Sequence, residues 1–312
     1  MYYKVTNKNE NHHGFQYVDG LNTLVEPFSK IGSCISGGFY FTTLEHIPKF
    51  YSYGINLREI RLPESDPDFQ MVKDPDGDKW RANKIILGEK YSLLDSTTYE
   101  RFGLDITKND HFINFASKYG YVDVLEWSKK YLKKKSKFRY TAAAISGASE
   151  NGHINVLNWW KNSGIELRYC SDAMNLASKN GRIDVLNWWK NSNLQLCYDD
   201  DALDYASLFG HVNVLDWWKN SGMPLKYSHY TMRWASQNSR INVLDWWKNS
   251  GLELKYNCDA MNWTSHAGHT NVLDWWKNSG LKLKYTTDVI DFATINGHTN
   301  VLNWWKKSGF LI

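Results

Sequence analysis

The chain has 312 residues, and its 42% hydrophobic content excludes a globally disordered protein. A formal net charge of +4 falls short of the concentrated basic excess that typifies nucleic-acid-binding proteins. No stretch reaches the roughly 20 apolar residues of a membrane-spanning helix, the N-terminus lacks the apolar core of a signal peptide, and the four scattered cysteines (Cys34, Cys170, Cys197, Cys258) show no paired spacing. We therefore expect a soluble intracellular protein with free thiols.

Residues 1–103 show no internal repeat and alternate between strand and helix signals. The predicted elements are a strand at 37–43, a helix at 44–53, a strand at 55–62 that stops at Pro63, and a strand at 82–87 that ends at Gly88. We therefore expect a small α+β domain at 1–103.

Two loops of this N-terminal segment resemble ligand-binding sites. Asp74-Pro75-Asp76-Gly77-Asp78 begins like a calcium loop, but Lys79 and Ile85 occupy its sixth and twelfth positions, so a turn between strands is favoured. The glycine-rich stretch 32–38 lacks the Gly-Lys-Ser/Thr ending of a P-loop and is expected to be a flexible loop. No nucleophile–base–acid set can be assembled. The sequence therefore predicts no catalytic residue, no metal site and no cofactor.

Tryptophan pairs recur every 29 residues in the rest of the chain. They are Trp159-Trp160, Trp188-Trp189, Trp217-Trp218, Trp246-Trp247, Trp275-Trp276 and Trp304-Trp305. A divergent copy with a single tryptophan, Trp127, precedes them, and its extra residues fall in the basic run 133–137. Self-similarity at a fixed period is typical of stacked repeats. We therefore expect a mainly α solenoid of about seven 29-residue repeats at 104–312.

Each repeat contains two amphipathic segments, separated by Asn180-Gly181 in one clear copy. Glycine at this point suits the left-handed residue that ends a helix. In the second segment, Val185, Leu186, Trp188 and Trp189 fall within an arc of roughly 160° at 100° per residue. Both rings of each tryptophan pair are therefore predicted to be buried. In the first segment, the corresponding arc holds Ala173, Met174, Leu176 and Ala177.

The string Ala-Ser-x-Asn-Gly-His-x-Asn-Val-Leu-Asp-Trp-Trp-Lys-Asn-Ser-Gly resembles the second half of an ankyrin repeat, over residues 104–312. The period is 29 rather than about 33, and the Thr-Pro-Leu-His start is absent, so we expect a shortened or missing β-hairpin finger. With Trp-Trp in place of Leu-Leu, the chain most resembles the ankyrin repeat proteins of giant amoeba-infecting viruses of the mimivirus type. The histidine position of the ankyrin repeat corresponds to His153, His211, His269 and His298, and other repeats carry Tyr121, Arg182 or Arg240 there.

Two further columns recur at the repeat spacing. The lysine column that includes Lys219 and Lys248 could follow phosphates, but an acidic residue such as Asp216 stands three positions before several of these lysines. A solvated, partly neutralised face is therefore favoured. The tyrosine column that includes Tyr169 and Tyr198 precedes the first helix and is interpreted as packing between repeats.

The exposed side of the first helix varies among repeats, while the outer face of the second helix is nearly constant. Variation in front of a constant scaffold favours a surface specific for a partner, although duplication followed by drift would also produce it. The predicted partner-binding residues are Asn175, Lys179, Arg182, Asp204, Leu208, His211, Tyr230, Arg233, Gln237, Arg240, Asp291, Ile295 and His298.

These observations favour a non-enzymatic scaffold that binds a host or viral protein through the concave, helix-one face of the array. The mixed charge of that face suits a protein better than nucleic acid, and no membrane partner is expected. The protein would act inside the cell, in the host cytoplasm if the chain is viral. The alternative is that residues 1–103 form an enzymatic or nucleic-acid-binding head that the repeats target.

Overall fold

In the computed structural model, the structure describes residues 1–33, 35–132 and 138–310. Cys34 and the basic run 133–137 lie outside the described residues. Contacts between Cα atoms group the chain into two units, residues 1–117 with 121–144, and residues 118–120 with 145–312. The first helix pair of the repeat series thus falls mostly in the first unit. The boundary at 103/104 remains a prediction.

The elements that precede the repeat series are β1 Tyr2–Thr6, the small hairpin β2 Asn11–His12 and β3 Phe15–Gln16, β4 Gly20–Thr23, β5 Phe39–Thr42, β6 Asn56–Arg61, β7 Met71–Lys73, β8 Lys79–Ala82, β9 Lys84–Ser92, α1 Ser96–Phe102, and 3-10 helices at Leu44–Tyr53 and Ile106–Lys108. Among the described residues, seven of these strands form one antiparallel sheet in the order β4-β9-β6-β1-β5-β8-β7. One face of the sheet carries a core that includes Phe39, Phe41 and Leu87.

Most predicted elements of this unit are present. The strands predicted at 37–43 and 55–62 correspond to β5 and β6, and the helix predicted at 44–53 is a 3-10 helix. The predicted turn at Asp74-Pro75-Asp76-Gly77-Asp78 joins β7 to β8, with Gly77 at φ +83°. The single strand predicted at 82–87 is wrong, because Ala82 ends β8 and the chain starts again as β9 at Lys84. Gly88 lies inside β9.

Seven helix pairs follow one another in the described part of the chain, which confirms the predicted mainly α repeat array preceded by a strand-rich region. The pairs are α2 Phe112–Lys118 and α3 Val122–Tyr131, α4 Ala143–Asn151 and α5 Ile154–Asn162, α6 Asp172–Lys179 and α7 Ile183–Asn191, α8 Asp201–Phe209 and α9 Val212–Asn220, α10 Tyr230–Gln237 and α11 Ile241–Asn249, α12 Asp259–His266 and α13 Thr270–Asn278, and α14 Asp288–Ile295 and α15 Thr299–Ser308. The structure assigns no strand to residues 138–310, which agrees with the predicted shortened or missing β-hairpin finger.

From Trp189 onward, the second tryptophan of each pair bonds one repeat to the repeat before it. The Trp218 ring is buried, and its indole Nε1 donates to Ser178 Oγ of α6 at 2.9 Å. This serine also donates to Met174 O, so it is satisfied inside the stack. The same bond recurs 40 residues back at Trp189–Ser149, Trp247–Ser207, Trp276–Ser236 and Trp305–Ser265. Because a buried indole N–H needs an acceptor, this bond fixes the register between neighbouring repeats.

The first tryptophan of the pair lies at the surface in most repeats, so the prediction that both rings are buried is wrong for it. Trp217 is half-exposed, and its Nε1 donates to Asn187 Oδ1 of the preceding repeat at 2.8 Å. In the next repeat the acceptor is Asp216, which bonds Trp246 at 2.6 Å. The acidic column therefore binds indoles, and the described residues include no ion pair between Asp216 and Lys219. Lys219 donates instead to Ser250 O at 2.6 Å.

The tyrosine column packs between repeats, as predicted. The Tyr198 ring lies 4.6 Å from the Trp218 ring, and its hydroxyl donates to Pro224 O at 3.0 Å. Three other tyrosine hydroxyls donate in the same way to the backbone carbonyl that lies 26 residues later in the chain: Tyr169, Tyr227 and Tyr256. The contacts of helix two and of the connecting segment therefore hold neighbouring repeats together.

Among the described residues, every helix is too short or too polar to span a membrane.

Candidate interaction surface

The helix-one face presents the variable residues of the array, and the structure distributes the predicted site residues over three environments. Asn175 and Asp204 are buried, each 1% exposed. Arg182, Asp291 and Ile295 are exposed. The remaining predicted residues, all half-buried, are Lys179, Leu208, His211, Tyr230, Arg233, Gln237, Arg240 and His298.

The column of Asn175 and Asp204 bridges repeats, so the prediction that these two side chains are exposed is wrong. Asn175 Nδ2 donates to Asp199 Oδ1 at 2.6 Å, 24 residues ahead. Asp204 accepts from Ser228 N at 3.0 Å and from the Ser228 hydroxyl at 2.5 Å, and Ser228 also stands 24 residues ahead. Asn262 repeats the bridge in α12. Each side chain is directed at the next repeat, where its hydrogen bonds offset the cost of burial.

Asp204 gives the array a testable pH dependence. Burial raises the pKa of Asp204 to about 6, although hydrogen bonds from Ser228 oppose the shift. The folded state therefore keeps a proton that an unfolded aspartate loses near pH ~3.9, and the free energy of unfolding falls as pH rises from about 4 to about 6. Asp204→Asn, which installs the residue of the same column in α6 and α12, is expected to raise the free energy of unfolding at neutral pH by about 2 kcal/mol.

Urea denaturation across that pH window measures the effect. The variant should lose the decline between about pH 4 and about pH 6. Asp291→Asn is the matched control, because Asp291 belongs to the same column but is exposed in α14. An identical pH profile for wild type and Asp204→Asn would contradict the assignment.

One column of side chains covers the C-terminal end of helix one of the preceding repeat. Its members are Arg182, His211, Arg240 and His298. His298 Nε2 lies 2.9 Å from His266 O, and Arg240 Nε donates to Leu208 O at 3.3 Å. The same side chains cover the glycine that ends that helix. For example, a Cβ on Gly210 would lie 3.2 Å from Arg240 Cδ. These contacts give the column a structural role between repeats, and a partner would reach only its remaining exposed surface.

One column of helix one, which the sequence pattern assigned to the core, is partly exposed in the structure. In α6 its member, Leu176, is partly exposed rather than buried. We call four later members the aromatic stripe: Tyr205, Trp234, Trp263 and Phe292, all half-buried. The sequence does signal this column. Its members are Gly147 and Leu176 in the second and third repeats, and they become aromatic in the next four repeats. It was missed because the isolated-helix arc placed Leu176 beside Ala173 and Ala177.

The rings of the stripe form two contacting pairs, each of which joins neighbouring repeats. Tyr205 and Trp234 lie 5.8 Å apart with an interplanar angle of 7°, and Trp263 and Phe292 lie 5.8 Å apart at 35°. Lys179 extends over the edge of the stripe, with Nζ 5.9 Å from the centroid of the Tyr205 ring. The described residues of this face include no metal-binding cluster of His, Cys, Asp and Glu. The arrangement can supply apolar, stacking and cationic contacts to a ligand.

The sequence is similar to several proteins of Acanthamoeba polyphaga mimivirus. One ankyrin repeat protein is 44% identical over 131 residues, which cover 40% of this chain and 65% of that protein. Another is 42% identical over 129 residues, covering 39% of this chain and 42% of that protein. This chain thus spans less than two thirds of the length of these relatives. An uncharacterized mimivirus protein is 40% identical over 131 residues, covering 40% of this chain and 94% of its own length.

No protein-family model matches the chain. The ankyrin repeat domain of human ASB11, a solved structure, aligns with a TM-score of 0.43 at 12% identity, covering 61% of this chain and 96% of that domain. The ankyrin repeat is in general a protein–protein interaction module. The chain is therefore similar in sequence to ankyrin repeat proteins of mimivirus, and its array of helix pairs agrees with that similarity.

Proposed function

We propose that this protein is a non-enzymatic interaction scaffold, which binds a host or viral protein in the host cytoplasm through the helix-one face of its repeats. The observation that carries the proposal is the aromatic stripe. Its four rings remain half-exposed, whereas the buried tryptophans of helix two already hold the stack together. Aromatic side chains that keep part of their surface exposed in a cluster are typical of protein-binding surfaces.

The charges of this face support a protein partner over nucleic acid. The first helices of the repeats carry Lys179 and Arg233 as well as Asp172, Asp201 and Asp259, so they contain charges of both signs. A continuous phosphate backbone requires a basic track, and carboxylates along the same face would repel it. Mixed polar groups around an aromatic centre are the usual composition of a protein interface.

A pair of charge reversals in one repeat tests the face. Lys179→Glu changes helix one of the third repeat, and Lys190→Glu makes the same change on its helix two, where Lys190 is exposed. The full-length protein and both variants would be used to capture partners from amoeba lysate, with recovery quantified by mass spectrometry. Lys179→Glu is expected to reduce recovery of the specific partner about 10-fold, because rim charges tune association. Lys190→Glu should leave it unchanged.

The reverse result would move the interface to helix two and would refute the proposal. Equal recovery by both variants and by wild type would refute it as well. Far-UV circular dichroism of the two variants checks that each remains folded. Since both substitutions alter exposed or half-exposed lysines, we expect the same melting temperature within a few degrees.

A further inference from the structure

The fifth repeat departs from the pattern of the array at three positions of its first helix. Tyr230 occupies the position that is aspartate in α6, α8, α12 and α14. Arg233 occupies the bridging column that holds serine, asparagine or aspartate in the other repeats with Trp-Trp pairs. Ser239 replaces the glycine that ends helix one in those repeats, and it has φ +54°. The three changes fall within one helix and its cap.

These departures give up contacts that stabilise the other repeats. Arg233 makes no bridge to Asn257, 24 residues ahead, although Asn175, Asp204 and Asn262 all bond at that separation. A serine at positive φ carries backbone strain of about 1–2 kcal/mol that glycine would avoid. Local rules broken without a gain in stability are expected at functional sites.

The guanidinium group of Arg233 lies between two aromatic rings. Its Cζ is 4.7 Å from the centroid of the Trp263 ring and 5.3 Å from that of Tyr230. Its Nε is buried without a hydrogen-bond partner. Within the ranges that the structure describes, no carboxylate lies within 4 Å of it. The rings hold the guanidinium without neutralising its charge, so the N–H donors of its two terminal nitrogens remain available for an anion.

The neighbouring indoles also have unused donors. Trp234 stacks on Tyr230 at 4.9 Å and on Tyr205 at 5.8 Å, and Trp263 lies beyond Arg233. Neither indole Nε1 has an acceptor among the described residues, whereas Trp218 and Trp247 both donate to a serine of the preceding repeat. The cluster thus offers guanidinium and indole N–H donors beside apolar ring surface.

We propose that Tyr230, Arg233, Trp234 and Trp263 form a pocket for an aspartate or glutamate side chain in a linear segment of the protein partner, with apolar residues of that segment packing on the aromatic stripe. This inference rests on the proposed function and adds the chemistry of the partner. A single carboxylate satisfies the guanidinium in a bidentate pair. The flanking aspartates of α8 and α12, Asp201 and Asp259, oppose a polyphosphate chain along the same face, which disfavours single-stranded nucleic acid.

The substitution Arg233→Asn tests the pocket, because it installs the residue that α6 and α12 carry in this column. The probe is a phage-displayed library of random linear peptides, selected on the full-length protein. Enriched peptides are expected to contain aspartate or glutamate next to aromatic or aliphatic residues. Their affinity for Arg233→Asn should fall about 10- to 100-fold, since hydrogen bonds to a charged group are lost. Thermal denaturation should show that the variant is at least as stable as wild type.

Arg168→Asn is the matched control, because Arg168 is exposed in a connecting segment and pairs with Glu166. It should retain full peptide affinity. Enriched peptides without an acidic residue, equal binding to Arg233→Asn, or no enrichment at all would overturn the inference. Tight binding of oligothymidylate that Arg233→Asn abolishes would assign the pocket to nucleic acid and overturn it too.

The same variants separate this inference from the proposed function. Partner capture that Lys179→Glu reduces but Arg233→Asn leaves unchanged would overturn the pocket and leave the helix-one interface standing. Capture that neither substitution reduces would refute both.

Discussion

Trp218→Ala is expected to lower the free energy of unfolding by about 3–5 kcal/mol. The ring is buried between repeats, where it lies 4.6 Å from the Tyr198 ring and 5.2 Å from the Trp217 ring. Removing it leaves a cavity at an interface that supplies much of the stability of a stacked array. It also removes the only indole donor that Ser178 accepts from in the described structure. Urea denaturation followed by circular dichroism measures the loss.

Two companion variants divide that loss into parts. Trp217→Ala removes the neighbouring, half-exposed ring and should cost about 1–2 kcal/mol, because less apolar area leaves water when this ring packs. Trp218→Phe keeps an aromatic ring but not the N–H, and isolates a hydrogen bond worth about 1 kcal/mol. Equal losses for Trp217→Ala and Trp218→Ala would contradict the distinction between the two rings. A broadened transition would indicate that the array no longer unfolds as one cooperative unit.

The repeats were the most predictable part of this molecule because their signal is redundant. Every copy repeats the apolar arc of helix two, and Val185, Leu186 and Trp189 are buried as that arc requires. Trp188 shows the limit of the method. An arc computed for one helix does not include Asn158 of the preceding repeat. The Trp188 Nε1 donates to Asn158 Oδ1 at 2.7 Å, and this bond keeps the ring at the surface. Contacts that depend on the neighbouring repeat are invisible to periodicity within one helix.

The same limit displaced the predicted exposed face of helix one by about one residue. On an isolated helix, Asn175 is opposite Ala173 and Ala177, so it appears solvent-exposed. In the array, helix one has a neighbour on either side, and the Asn175 column lies between adjacent copies of it. The exposed surface therefore shifts to the next position, Leu176, and to the aromatic stripe beyond it.

The N-terminal sheet was only partly predictable because several of its strands carry charged residues inward. Strand β1 buries Lys4, and burial lowers the pKa of Lys4 to about 8. Its Nζ donates to Tyr40 O at 2.8 Å and lies 5.0 Å from the Tyr17 ring centroid. Strand β6 likewise buries Arg58, which pairs with Glu10 and Asp19. The partners of a buried cation such as Lys4 are distant in sequence, so the sequence pattern treats it as a polar surface residue. For this reason β1 was not predicted.

Gly268→Ala is expected to lower the free energy of unfolding by about 2–3 kcal/mol, through two effects that can be separated. Gly268 has φ +80°, and alanine in this left-handed region costs about 1–2 kcal/mol. A Cβ at this position would also lie 2.8 Å from His298 Nδ1, so the imidazole must move. The movement would break its contact with His266 O, worth about 1 kcal/mol. Chemical denaturation measures the total.

Gly297→Ala supplies the control, because Gly297 has φ +69° and nothing lies within 4 Å of an added Cβ. It should show the backbone cost without the clash. Combining Gly268→Ala with His298→Ala should cost less than the sum of the two single changes, since the clash disappears when the imidazole is absent. Additive losses in this double-mutant cycle would show that the His298 ring moves freely. The contacts of Arg182, His211, Arg240 and His298 with the preceding repeat would then not stabilise the array.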